Sequence, residues 1–183
     1  MSAGRPRPVL ASVVLVFAPV WVSSGNAEAA RGSDRAQENL ERQVRKELVK
    51  LPDYSVFDNL EFRVEGYRVE LRGQVLRGSL KSSAEKVVRR IEGVEGVTNN
   101  IEVLPASVHD DRLRRAVFNA IYSRPPLQRY AVQAVPPIHI IVNHGHVTLV
   151  GVVATEAEKS FAYAQARGVS GSFSVTNRLQ VET

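Results

Sequence analysis

Apolar residues recur every four positions in two separate stretches of the chain: Leu40, Val44 and Leu48, then Leu113, Val117 and Ile121. That spacing keeps side chains on one face of a helix, so each stretch predicts an amphipathic α-helix. Each is followed by two short runs of alternating apolar and polar residues, around Gly66 and around Gly145, which predict a β-hairpin. Asn143-His144-Gly145-His146 is suitable turn chemistry, since Gly145 tolerates positive φ. A second helix comes next. Thr155 with Glu158 three residues on makes a capping-box pattern, and in the earlier stretch Ser79 or Ser82 can supply the cap. Gly93 and Gly171 end or follow these helices, and 97–103 and 175–181 alternate as a last strand.

The two halves are copies of each other. Sliding the chain by 78 residues lays 69–103 on 147–181 without a gap, with thirteen identities in thirty-five positions. Val69, Leu71, Gly73 and Val75 fall on Val147, Leu149, Gly151 and Val153; Val97-Thr98-Asn99 falls on Val175-Thr176-Asn177. The first helices match at an offset of 73 instead, so the second copy carries five extra residues between helix and hairpin, within the proline-rich 123–137. The expected fold class is α+β: two tandem α-β-β-α-β modules, each a three-stranded mixed sheet covered on one face by two helices. Leu71, Val75, Val97 and Ile101 belong to one core, and Leu149, Val153, Val175 and Leu179 to the other. The boundary is expected at Pro105-Ala106-Ser107, giving domains 34–105 and 106–183.

Ahead of both copies, Arg5 and Arg7 precede an apolar stretch from 9 to 22, followed by small polar residues and Ala27-Glu28-Ala29. This reads as a signal peptide over 1–29, cleaved after Ala29, with delivery to the periplasm or secretion. At about 1.5 Å per residue the apolar stretch falls short of a roughly 30 Å hydrocarbon core; the other reading is an uncleaved N-terminal anchor. The 183 residues contain no cysteine, which excludes disulfides, thiolate-held zinc, iron–sulfur clusters and a cysteine nucleophile.

Charge separates the copies. Lys and Arg number 24 against 19 Asp and Glu, a net +5. Residues 30–105 hold 14 basic and 13 acidic side chains, whereas 106–183 hold 8 and 5. Arg112, Arg114, Arg115, Arg124 and Arg129 fall within 18 positions, with no acid between them. Either this is ordinary solvated surface or it is an anion-binding face. For an exported chain, a positive face meets lipid headgroups and envelope polymers rather than nucleic acid.

Other chemistry is thin. His139, His144 and His146 invite a metal ion, but no carboxylate sits beside them and the turn itself accounts for polar residues; no metal or other cofactor is expected. Gly93-Val94-Glu95-Gly96 fits the Gly-x-x-Gly of RNA-clamping loops, yet its middle pair is not basic, so no nucleic-acid partner is expected. No nucleophile elbow, phosphate loop or His-Glu-x-x-His is present, and Asp110-Asp111 suits a helix N-terminus; the chain is expected not to be an enzyme.

Val69-x-Leu71-x-Gly73-x-Val75, Ala84, Gly93-Val94, Val97-x-Asn99 and Ile101-x-Val103 resemble the BON domain, named for bacterial OsmY and nodulation proteins. Val147-x-Leu149-x-Gly151-x-Val153, Ala162, Gly171, Val175-x-Asn177 and Leu179-x-Val181 repeat the pattern. Copy two departs where Gly-Val is usual: Gly171 is followed by Ser172-Phe173. Tandem copies behind a signal peptide are similar to the periplasmic OsmY-like arrangement. The resemblance implies a non-enzymatic envelope module that binds phospholipid membranes and serves in osmotic or envelope stress, with no catalytic residues to carry over. Gly73, Gly93, Gly151, Gly171, Asn99 and Asn177 are then structural. The glycines permit a bend or close backbone approach, and each Asn bonds backbone near its turn. On this reading anionic phospholipid is the partner, held by Arg112, Arg114, Arg115, Arg124 and Arg129, with Tyr122, Leu127 and Tyr130 entering the headgroup region. The competing expectation is a protein-interaction or chaperone-like role toward envelope proteins.

Overall fold

A computed structural model describes residues 27–182. The expected signal peptide lies outside the described residues except for 27–29, which open the first helix. Copy one runs α1 (Ala27–Val49), β1 (Asn59–Glu65), β2 (Arg68–Val75), α2 (Gly78–Arg89), β3 (Gly96–Asn99) and β4 (Glu102–Val103). Copy two runs α3 (Val108–Tyr122), β5 (Ile138–Asn143), β6 (His146–Val153), α4 (Glu156–Arg167) and β7 (Ser174–Val181), with a 3-10 turn at Leu127–Tyr130 inside the proline-rich insertion. The class is α+β, and each sheet is mixed.

In both copies the hairpin is antiparallel and the returning strand lies parallel to its second arm. Arg68 pairs with Gly96 and His146 with Ser174, so the crossover spans 28 residues in each. The last strand of copy one is interrupted at Asn100-Ile101, leaving β3 and β4 end to end on β2, whereas β7 is continuous. The two glycines that align within the hairpins explain why the second arm can pass so close to the first. Gly73 and Gly151 have φ of +113° and +126°, and a Cβ on either would collide with the carbonyl oxygen of Asn59 or Pro137.

The period-four stripes face inward as their spacing requires. Leu40, Val44, Leu48, Leu80, Ala84 and Val88 pack with Leu71, Val75 and Ile101 in one core. Leu113, Val117, Ile121, Ala162 and Ala166 pack with Leu149, Val153 and Leu179 in the other. Val97 and Val175 are only partly buried at the edges of their cores. Thr155 caps α4 by accepting from the Glu158 backbone N–H at 3.2 Å, as the sequence pattern suggests. The serine caps of α2 are a correction: that helix starts at Gly78 behind Arg77, without a side-chain cap, and the Ser79 hydroxyl turns to Asp53 instead.

The cores are separate but not independent. Residues 51–58, which link α1 to β1 in copy one, lie along the edge of β5 in copy two. The Val56 carbonyl accepts from the Ile140 N–H at 2.8 Å, and the Val56 side chain is buried among the apolar residues of copy two. Phe57 meets Phe118 edge-on with ring centroids 6.1 Å apart, and Tyr54 stacks on His139 at 5.4 Å. Asp58 fixes this segment: its buried carboxylate accepts from Ser55 N, Ser55 Oγ and Leu76 N.

Candidate functional site

The five arginines clustered between 112 and 129 do not form one face. Arg112 and Arg115 lie exposed on α3, three residues apart and so on one flank, and Arg124 is exposed just past its C-terminus. None of the three has a carboxylate within ion-pair distance among the described residues.

Arg114 corrects the expectation. It is 2% exposed, pairs with Asp111 at 2.6 Å and donates to the Val142 carbonyl at 2.6 Å. Position 114 follows Leu113 and sits one turn beyond the buried Asp110, so it lies on the packed flank of the helix. Its guanidinium closes the edge of β5, where a carbonyl would otherwise go unpaired. Arg129 is exposed but committed to the carboxylate of Glu158, a residue only 4% exposed. That carboxylate also accepts from Tyr130 Oη and the Ala154 N–H, so Tyr130 is half-buried and engaged. Tyr122 is buried: its hydroxyl donates to Ile138 O at 2.8 Å and accepts from Ile138 N at 3.0 Å, and burial pushes its pKa up. Leu127 is fully buried and closes the core under the insertion. Neither Tyr122 nor Leu127 can reach a headgroup.

The remaining residues singled out by sequence hold strands to helices. Asn99 donates to the Lys81 carbonyl and accepts from the Ile101 N–H; Asn177 does the same with Lys159 and Leu179. Asn99 also bonds Glu85, whose carboxyl is held below its usual range chiefly by that contact. Gly93 and Gly171 have φ of +89° and +95° in the turns that leave the second helices.

The histidines are dispersed. His139 is half-buried against Tyr54, with Tyr54 Oη 3.3 Å from its Nε2; partial burial lowers the His139 pKa and raises that of Tyr54 to about 12. His144 bonds Asn143 and His146 bonds Ser174. Among the described residues no three His, Cys, Asp or Glu side chains are grouped as a metal site. A cleft of about 420 Å³ between α1 and α2 is lined by Gln43, Lys46, Glu47, Val87, Arg90 and Ile91, residues without a nucleophile paired to a base.

Two residues do more than their sequence patterns indicate. Asp110 reaches from α3 to the hairpin turn and accepts from the His144 and Gly145 N–H groups at 2.9 and 2.8 Å. Phe173 is 76% exposed beside that turn. The Ser172-Phe173 that follows Gly171, where Gly-Val is usual, was the available signal for it.

The BON domain model matches residues 36–105 and again 109–183. The chain belongs to the BON domain family. BON domains are non-catalytic binding modules, associated with membranes, phospholipid or the envelope. No curated protein matches the chain. Among solved structures it is similar to CdsD, a structural protein of the type III secretion system of Chlamydia trachomatis, at 10% identity and a TM-score of 0.32, covering 79% of this chain and 92% of that one. The C-terminal domain of CdsD gives 12% identity and a TM-score of 0.29, covering 80% and 99%. In this tandem BON protein, Arg115 of the second BON domain falls on Arg42 of the first and Arg112 falls on Asn39, but in the first domain α1 interleaves Arg42, Arg45 and Lys46 with Glu38, Glu41 and Glu47.

Proposed function

We propose that this tandem BON protein is exported to the bacterial envelope and binds anionic phospholipid surfaces peripherally through its second BON domain. The observation that carries this reading is the set Arg112, Arg115 and Arg124, exposed along α3 and its end and without carboxylate partners among the described residues. Each such charge near an anionic surface is worth on the order of 1 kcal/mol, so three supply weak, reversible association. No helix among the described residues is long and apolar enough to cross a membrane, and surface attachment by these charges does not require one. The N-terminal pattern of Arg5, Arg7, a short apolar stretch and Ala27-Glu28-Ala29 supports export.

The test is co-sedimentation with vesicles containing phosphatidylglycerol. Binding should weaken as salt rises and fall about tenfold or more when Arg112, Arg115 and Arg124 are all replaced by Gln. Equal binding by that variant, or to neutral vesicles, would refute it. The competing role is capture of envelope proteins. It is favoured by β7, which pairs with β6 on one side only and offers an edge to an added strand. Such capture would persist in high salt.

A further inference from the structure

The corner formed by the β5–β6 turn and the loop before β7 is built to hold one aromatic ring in solvent. Phe173 donates its N–H to the Gly145 carbonyl at 2.9 Å, which ties the loop to the turn. Its ring lies directly over Gly145: a Cβ there would come within 2.7 Å of the Phe173 ring, so glycine makes the seat possible. His109 and His146 flank it, with ring centroids at 6.5 and 5.8 Å. His109 also donates from Nε2 to the Gly171 carbonyl at 3.0 Å, fixing the loop from the other side.

The seat is braced from beneath. His144 takes φ of +50°, an uncommon conformation for a residue with a side chain. The buried Asp110 carboxylate holds it there through the His144 and Gly145 N–H groups. Bonds from α3, the turn and the loop thus converge on a ring left three-quarters in water. The ring is thereby fixed in place with most of its surface left free for a contact.

The first BON domain has the same corner with different chemistry. There Glu95 donates its N–H to the Tyr67 carbonyl at 2.8 Å, the bond that corresponds to Phe173 and Gly145. Tyr67 is exposed, but Glu92 shares its cleft and Glu95 stands where Phe173 would be. In the second domain the carboxylate at this turn, Asp110, is buried and bonded to backbone N–H groups. His109 begins a row along α3 that continues through Arg112 to Arg115 at three-residue steps, about 4.5 Å apart along the axis. The second corner therefore presents an apolar tip at the end of a positive row, and the first presents acids.

We infer that Phe173 is a membrane-inserting tip, entering the interfacial region of an anionic phospholipid surface while Arg112 and Arg115 hold the headgroups. The inference rests on the lipid-binding reading and adds to it a point of insertion outside α3. An aromatic ring at that boundary gains apolar burial without needing a span.

The chain lacks cysteine, so a single Cys at 173 or, as a control, at 95 can carry an environment-sensitive nitrobenzoxadiazole label on the full chain. Against vesicles of phosphatidylglycerol and phosphatidylcholine, the label at 173 should shift to the blue and be quenched by lipids brominated near the top of the acyl chain. The label at 95 should stay in water. Unlabelled Phe173→Ser should bind the same vesicles roughly fivefold more weakly, with its far-ultraviolet spectrum unchanged. If the chain binds in an arginine-dependent way while the label at 173 remains in water, the tip is refuted and the lipid reading stands. If neither labelled protein responds and no arginine-dependent binding is seen, both fail. Equal insertion at 173 into pure phosphatidylcholine would overturn the anionic surface as the partner.

Discussion

Val56 belongs by sequence to the first BON domain and by packing to the second, which makes Val56→Ala a sharp perturbation. The side chain is 7% exposed and packs with the core of copy two. Truncation removes two carbons, worth about 1.6 kcal/mol of transfer free energy, and the incompletely relaxed cavity brings the cost to roughly 2–3 kcal/mol. The backbone bond from Ile140 N to Val56 O survives, so the loss is one of packing. Amide hydrogen exchange locates it. Protection at Val147 and Leu149, in the strand that forms the centre of copy two, should drop roughly ten- to hundredfold. Protection at Val69 and Leu71, the corresponding amides of copy one, should change less. Wild-type exchange at Val147 and Leu149, with the loss confined to Val69 and Leu71, would mean that residues 51–58 serve only their own domain and would refute the shared edge.

Gly151→Ala should cost about 3 kcal/mol or more in urea unfolding, because φ of +126° and the Pro137 carbonyl both oppose a Cβ; Gly73→Ala should do the same to copy one. Gly66→Ala, with φ of +61° and open space around it, should cost only about 1 kcal/mol, and equal costs at all three would sink the close-approach argument. Burial against Tyr54 lowers the His139 pKa in the fold, although Asp58 acts in the opposite sense, so the unfolded chain binds that proton more readily. Stability from this site is therefore whole above about pH 6.5 and is lost as pH falls below that value toward the folded-state pKa. His139→Phe should flatten the acid side of a Tm-against-pH curve, and an unaltered slope there would contradict it.

The internal repeat made the architecture legible, since two copies of one pattern confirm each other's helices, hairpins and returning strands. Arginine burial was not legible. The stripe Leu113, Val117 and Ile121 marks the centre of a helix's packed face but not its width, and Asp110 and Arg114 lie at its margin. A guanidinium that finds a strand carbonyl is buried despite its charge, and no local window contains the partner, Val142, 28 residues away. The same holds for Leu127, whose proline-rich surroundings read as surface. Val56 depended on a contact between copies, which periodicity within one copy cannot reveal. Phe173 was visible as a departure from the family pattern, but its exposure comes from the turn that Asp110 braces.

The crossing of residues 51–58 gives the tandem a direction. Copy one sends Val56 and Phe57 outward as a plug, and copy two receives it along β5. The corresponding connection in copy two folds back on itself: its Leu127 fills the very core that Val56 enters. A third unit of this kind, however attached, would meet no such plug from copy two. Duplication here has produced a closed pair with a head and a tail, whose second member relies on the first to complete its wall.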